Sequence, residues 1–354
     1  MFRNQSVIRL SRQRLCARFY GKYMRACEIK SQGGDSNSLR ITEVQVPQPS
    51  EGEILVKNEA AGLNFIDCYH RSGLYPRETP FILGVEGAGT VVAAGPNVDL
   101  DSFSPNNPSL KGNIVGARVG YYGTDTYSEY TVVPLEQSFP LPEDIGWNDA
   151  VSVVTQGLTA HYLVRSTYKL DDHDWCLIHA CAGGTGQLMV QMAKILGANV
   201  IGSCSPSKAD VALSLGLDYC IDYSDIEAKV KEITKGRGVD VVYDGVGATT
   251  WEASLNSLRP RGMAVFFGNA SGPVPSIDPL ILNSKGSLFM TRPKLYDYLQ
   301  NRQELLWRVN EVFDWMRAGK LKVAVDREFN LEDVNLAHEY IESGNTRGKV
   351  IIKI

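Results

Sequence analysis

Residues 175–203 read WCLIHACAGGTGQLMVQMAKILGANVIGS. An apolar run, Trp175–Ala180, leads into a glycine-rich turn. Apolar residues at helical spacing follow from Gly186 to Leu196, and a second apolar run covers Asn199–Gly202. Strand, turn, helix and strand in that order make the unit of a parallel sheet with a right-handed crossover. The turn is Cys181-Ala182-Gly183-Gly184-Thr185-Gly186. Glycine here lets backbone amides at a helix N-terminus approach a pyrophosphate, where the helix dipole favours an anion. A strict G-x-G-x-x-G needs glycine at 181, where cysteine stands. The flanking strand, helix and strand carry the dinucleotide reading. A plain structural turn is the alternative.

Outward from this unit, the second strand ends in Ser203-Cys204-Ser205-Pro206-Ser207-Lys208, with no carboxylate before Asp210. An NAD site places Asp or Glu there to hold the ribose hydroxyl. An acid repels a 2′-phosphate, whereas Ser203, Ser205 and Lys208 suit one. The segment therefore predicts NADP. Further strands are predicted at Tyr219–Asp222, Val239–Tyr243 and Met263–Phe267. Two of them run into glycine loops, Tyr243–Gly247 and Phe267–Gly272. Ligands of doubly wound sheets lie beyond the carboxyl ends of the strands. Gly245, Gly247, Phe267, Gly268 and Ser271 are thus candidate cofactor contacts.

Upstream the rhythm is different. Arg25–Ile29, Leu39–Val46, Glu53–Ala60, Val91–Ala94 and Ser128–Val133 read as strands broken by Gly- and Pro-rich turns. The polar segment 99–108 reads as a surface loop. Helices are predicted over 296–318 and 331–343. The last run, Lys349–Lys353, returns to the β-rich style of the first part. The fold is therefore expected to be α/β. Residues 150–292 form a doubly wound domain inserted into a β-rich domain, which comprises 24–149 and 293–354.

The chain has 354 residues, 44% hydrophobic and 21% charged, which excludes disorder as the main state. Its net charge of −4 hides an asymmetry. Seven basic residues, from Arg3 to Arg25, precede the first acid, Glu28. The remaining 29 basic residues face 40 acidic ones, a balance of −11. An acidic body argues against a nucleic-acid-binding protein. The Arg-rich, acid-free start has the composition of a mitochondrial transit segment over residues 1–23, with the matrix as destination. Translation from Met24 would leave the product in the cytoplasm, and a solvated or RNA-binding tail is the alternative. No apolar run reaches the roughly 18 residues of a membrane span. The seven cysteines show no C-x-x-C spacing, so neither a disulfide framework nor a metal site is expected.

The stretch Gly62-Leu63-Asn64-Phe65-Ile66-Asp67-Cys68-Tyr69-His70-Arg71-Ser72-Gly73-Leu74-Tyr75-Pro76 resembles the medium-chain dehydrogenase/reductase superfamily. So do Gly84–Gly89, the Ala180-x-x-Gly183-x-x-Gly186 loop and the GNASGPV segment at 268–274. More closely the chain resembles the zinc-independent quinone oxidoreductases of zeta-crystallin type within it, over 24–354. The resemblance implies a GroES-like catalytic domain with an inserted Rossmann domain. It also implies NADPH-dependent reduction of quinones. Zinc-dependent relatives carry a ligand cysteine where Asn64 stands and G-H-E where this chain has Gly84-Val85-Glu86. Without a Lewis acid, an electron-poor acceptor such as a quinone or enone is the fitting substrate.

By the same resemblance, Asn64 and Tyr69 line the nicotinamide and substrate pocket, with Asp67 close by. Thr159 contacts the cofactor, Lys208 takes the 2′-phosphate and Tyr223 packs near the adenosine end. For Asp67 an ion pair with Arg71, four residues on, is the structural alternative. Some relatives place a basic residue on the phosphate from the region of Gly344, and this chain does not. Relatives form homodimers or homotetramers through an edge strand, here around Gly286–Met290. The nearest alternative function is reduction of α,β-unsaturated ketones or enoyl thioesters. An alternative of another class is binding of AU-rich RNA or a structural, crystallin-like role.

Overall fold

The computed structural model describes residues 21–99, 103 and 114–354. The basic arm up to residue 20 and most of the polar segment at 99–108 lie outside the described residues. The chain divides into two compact units. The first takes the chain up to Thr155, Asn301–Val309 and Val325–Ile354; the second takes Gln156–Gln300 and Asn310–Ala324. The expected β-rich domain includes all of 293–354. Side-chain contacts explain why 310–324 goes with the second unit. Glu311 accepts from His161 at 2.6 Å and from Arg165 at 3.0 Å, and the Lys322 amide donates to Gln191 at 2.8 Å.

The first unit holds β1 (Tyr23–Ile29), β2 (Ile41–Gln45), β3 (Glu53–Leu63), β4 (Phe81–Ile82) and β5 (Glu86–Ala94). It also holds β6 (Arg118–Tyr122), β7 (Tyr130–Pro134), β8 (Ser138–Pro140), β15 (Val325–Asn330) and β16 (Lys349–Lys353). A seven-stranded sheet runs β15-β16-β3-β5-β6-β8, with β7 also on β3; a smaller sheet runs β2-β1-β4. β3 pairs with three strands, so its residues Ile54, Leu55, Val56, Ala61 and Leu63 are all buried. β1 begins before Met24: Tyr23 pairs with Gln45 and the Lys22 carbonyl accepts from Val46 at 2.9 Å. A start at Met24 would cut into the sheet.

β3 runs into the helix Phe65–Ser72. The Asp67 carboxylate reaches back to the Asn64 amide at 2.8 Å and caps the helix N-terminus. Gly73, with φ of 82°, ends the helix. The family-like stretch is thus one strand end and one capped helix.

The second unit holds β9 (Trp175–His179), β10 (Asn199–Ser203), β11 (Tyr219–Ile221), β12 (Val239–Asp244), β13 (Leu258–Phe266) and β14 (Phe289–Thr291). All pairs are parallel, in the order β11-β10-β9-β12-β13-β14. This is the doubly wound order whose direction reverses between β9 and β12, the expected place for a dinucleotide. β12 is buried at every position, as suits a strand covered on both faces. β13 starts at Leu258, five residues before the predicted Met263, because Val239 pairs with Leu258 ahead of a register shift. The sequence reading does not include β6, a short run with Gly120 at its centre, or β15, whose Asp326, Arg327 and Glu328 mask any alternation. Among the described residues no helix is long and apolar enough to cross a membrane.

Candidate cofactor and active site

Four loops of the second unit follow the carboxyl ends of β9, β10, β12 and β13. The first leaves β9 through Ala180, with φ of 50°, and enters the helix Gly184–Ile195 after Gly183. A β-carbon on Gly186 would stand 2.2 Å from the Ala180 carbonyl oxygen, so only glycine lets the helix start this close to the strand. Ala182, Gly183, Gly184, Thr185 and Gly186 all lie in this turn. The first amides of a helix lack partners within it, which suits them to an anion.

Beyond β10, Ser205 Oγ lies 3.3 Å from Ser207 Oγ, and Lys208 closes the turn Pro206–Lys208. Ser203 departs from its expected place beside the phosphate. It is fully buried and its Oγ lies 2.6 Å from His179 Nδ1.

Asp244 sets the direction of that contact. Its Oδ1 accepts from the Val246 and Gly247 amides at 2.8 and 2.9 Å. Its Oδ2 accepts from the Thr250 and Ser254 hydroxyls at 2.8 and 2.7 Å. A carboxylate only accepts, so Ser254 gives its proton to Asp244. Ser254 must then accept from His179 Nε2 at 3.0 Å. His179 Nδ1 is left as an acceptor, and Ser203 donates to it. Burial lowers the His179 pKa and favours this neutral form. The Tyr223 hydroxyl accepts from the Ala180 amide at 3.0 Å, and its ring stacks beside His179 at 6.3 Å. One buried chain therefore ties together the ends of β9, β10 and β12.

The two later glycine loops pack on each other. A β-carbon on Gly268 would lie 2.4 Å from the Gly245 carbonyl oxygen. The Ser271 amide and hydroxyl both donate to the Val246 carbonyl at 2.8 Å. Gly245 and Gly247 thus sit at the end of β12, while Ser271 braces them. The Phe267 ring lies over Gly245.

The first unit gathers a buried polar cluster around Asn64. The Lys349 ammonium donates to Asn64 Oδ1 at 2.9 Å, to the Leu63 carbonyl at 3.3 Å and to Glu86 Oε1. Asn64 Nδ2 donates to Glu86 Oε1 at 2.5 Å and to the Gly62 carbonyl at 3.3 Å. Glu86 Oε2 accepts from the Thr155 amide at 2.5 Å. Every donor of Lys349 and Asn64 is engaged. Asp67 is fully buried; its Oδ2 also accepts from the Tyr127 hydroxyl at 3.2 Å, while Oδ1 has no partner. Burial pushes the Asp67 carboxyl up to about 7, and the Glu86 charge adds to the rise.

The expected alternative for Asp67, a pair with Arg71, is not what forms. Arg71 donates to His338 Nδ1 at 2.9 Å, to the Gly34 carbonyl at 3.1 Å and to Glu342 at 2.5 Å. Tyr69 is half-buried, edge-on to Tyr75 at 5.2 Å. Thr159 is half-buried in the helix Leu158–Tyr162. Sequence reasoning missed Lys349, Tyr127, His179, Ser254 and Asp244 as site residues. The one available signal was a charged residue at the head of an otherwise apolar strand, Lys349 before Val350-Ile351-Ile352.

The donor set around Asn64 does not fit a metal ion. Asn64 presents an amide, Val85 presents no donor, and Glu86 already bears an ammonium. Zinc takes three or four thiolate, imidazole or carboxylate ligands. Among the described residues no group of three such side chains is placed to hold one.

Two family models match, the alcohol dehydrogenase GroES-like domain over residues 50–143 and the zinc-binding dehydrogenase over 215–352. A quinone oxidoreductase of Salmonella typhimurium is 42% identical over 333 residues, 92% of this chain and 98% of that protein. A 2-haloacrylate reductase of a Burkholderia species is 38% identical over 92% of this chain and 98% of that protein. The structure of Escherichia coli quinone oxidoreductase complexed with NADPH superposes with a TM-score of 0.88. It is 39% identical and covers 93% of this chain and 100% of that one. Likeness of this depth, along nearly the whole of each chain, makes this protein an oxidoreductase of the quinone oxidoreductase family, within the medium-chain dehydrogenases/reductases.

Proposed function

We propose that this chain binds NADPH and reduces quinones with it, without a metal. The observation that carries the cofactor reading is the turn after β10, where Ser205, Ser207 and Lys208 stand and no carboxylate does. The bound cofactor supplies a hydride from its nicotinamide. The Ala182–Gly186 turn holds the pyrophosphate, Ser205 and Lys208 the 2′-phosphate, and Tyr223 the adenosine end. Gly245, Gly247 and Gly268 keep the backbone close at the ends of β12 and β13, and Thr159 completes the contacts.

On the substrate side, the Tyr69 phenol donates to the oxygen that gains charge. Asp67, raised by burial to about 7, gains and loses its proton near neutral pH. Asn64 acts as a fixed group, because Lys349 and Glu86 leave its amide no freedom to turn. These roles need an acceptor that is already electron-poor.

The 2-haloacrylate reductase likeness favours a second reading, reduction of a polarised alkene. Parallel assays of NADPH oxidation with an ortho-quinone and an enone separate the two. Turnover with the quinone supports the first reading. Turnover with the enone alone moves the protein to the alkene reductases.

We further propose a homodimer formed through β14. It is one of the two edges of its sheet, and its Phe289 and Met290 are 58% and 42% exposed. An open, apolar edge strand invites pairing. Light scattering should give twice the 39.0 kDa chain mass; a monomer mass would reject the dimer. The basic N-terminal arm is proposed to direct the full chain to mitochondria. A fluorescent fusion that stays in the cytosol would refute that.

A further inference from the structure

Three thiols converge over Gly202 in β10. A β-carbon there would lie 2.7 Å from Cys181 Sγ, so the missing side chain makes room for that sulfur. Gly202 pairs across the sheet with Cys220 of β11. Cys204, two residues on and on the same face, brings its Sγ to 3.6 Å from Cys220 Sγ. None of the three is in a disulfide. Cys181 and Cys204 are buried, and half-buried Cys220 opens the cluster to solvent. The Cys181 thiol, then the Cys220 thiol and the Lys208 charge, hold the Cys204 pKa below that of an ordinary thiol, while Cys220 is pushed up to about 12, mainly by burial. Of these thiols Cys204 is the one most readily ionised. A stabilised thiolate beside a second thiol is the arrangement of a reactive and a resolving cysteine.

We propose that Cys204 and Cys220 are a modification site, a dithiol that a hydroperoxide oxidises to a disulfide, and that the disulfide weakens NADPH binding. The Cys204 thiolate attacks the peroxide; an S–O bond forms, the O–O bond breaks, and the departing alkoxide or hydroxide takes a proton from solvent to become the alcohol or water. Cys220 then attacks the sulfenic sulfur; the S–S bond forms and hydroxide leaves with the Cys220 proton as water. The thiols lose two electrons and the peroxide gains them. Bonding requires the sulfurs to close from 3.6 Å to about 2 Å. That draws Cys204 toward β11, and with it the turn bearing Ser205 and Lys208. The second half of the proposal rests on the reading of that turn as the 2′-phosphate subsite.

The test treats the full-length chain with hydrogen peroxide, blocks remaining thiols and digests with trypsin. Cleavage after Lys194, Lys208 and Lys229 puts Cys181, Cys204 and Cys220 on three different peptides. The expected cross-link joins 195–208 to 209–229. NADPH affinity, read by nicotinamide fluorescence, should fall by about tenfold and return on reduction with dithiothreitol. Cys220→Ser, a near-isosteric change at a half-buried position, should show neither the cross-link nor the reversible loss. No cross-link, a cross-link from Cys181, an unchanged affinity after cross-linking, or an equal reversible loss in Cys220→Ser would each overturn the proposal. The cross-link is read without cofactor. Reduced protein that fails to bind NADPH would sink the cofactor reading separately.

Discussion

The Lys349 ammonium donates to the Asn64 amide oxygen at 2.9 Å across 285 residues of chain, and both side chains are buried. The contact fastens the last strand to the residue that opens the helix Phe65–Ser72. Glu86 accepts from both and balances the lysine charge. A fixed ammonium thus holds the amide that the family resemblance assigns to the substrate pocket.

Lys349→Met should be severely destabilising, because it leaves Glu86 as a buried, uncompensated charge. The expected loss is about 3–5 kcal/mol in urea unfolding. The double change Glu86→Gln with Lys349→Met should cost much less than the two single changes together. Additive losses would show that the pair is not coupled.

Asp67 makes stability depend on pH in a defined direction. Its carboxyl titrates at about 7 when folded and at about 3.9 when unfolded. The native state therefore holds the extra proton between these values. Its contribution is complete below about pH 4 and is lost as pH rises through about 7. Asp67→Asn keeps an oxygen for Asn64 and Tyr127 and cannot ionise. The fall in unfolding free energy between pH 5 and 8 should shrink in that variant; an unchanged fall would refute the assignment.

His179→Leu breaks the chain from Ser203 to Asp244. It strands the buried hydroxyl of Ser203, at about 1–3 kcal/mol, while Ser254 keeps its bond to Asp244. The wild type should also lose stability as pH falls below about 6.5, where unfolded histidine gains a proton and the buried His179, its pKa lowered, resists. Thermal unfolding at pH 5 and 7 should show a smaller difference in His179→Leu. An equal difference would place the acid sensitivity elsewhere.

The fold was largely legible because its decisive signals are local. Trp175–Ser203 carries the complete strand, turn, helix and strand, and the buried run of β12 needs no partner to be read. β6 was missed because it is a short run broken by Gly120, and β15 because Asp326, Arg327 and Glu328 interrupt its apolar pattern; pairing across the sheet reveals both. The site divided the same way. The Ala182–Gly186 turn shows in its spacing. Ser203 misled, since its position at a strand end suggested a phosphate contact, while its hydroxyl bonds to a histidine 24 residues earlier. Lys349 lies 263 residues from Glu86. No spacing rule connects them.

On the proposed function, the turn after β10 selects NADPH. The most direct test is kcat/KM for NADPH and for NADH with an ortho-quinone, in the wild type and in Lys208→Ala. The wild type should prefer NADPH. The substitution should lower kcat/KM for NADPH about tenfold, roughly 1.4 kcal/mol for one charge-assisted contact, and leave NADH unchanged. A wild type that uses NADH as well as NADPH, or a substitution that affects both alike, would contradict the account.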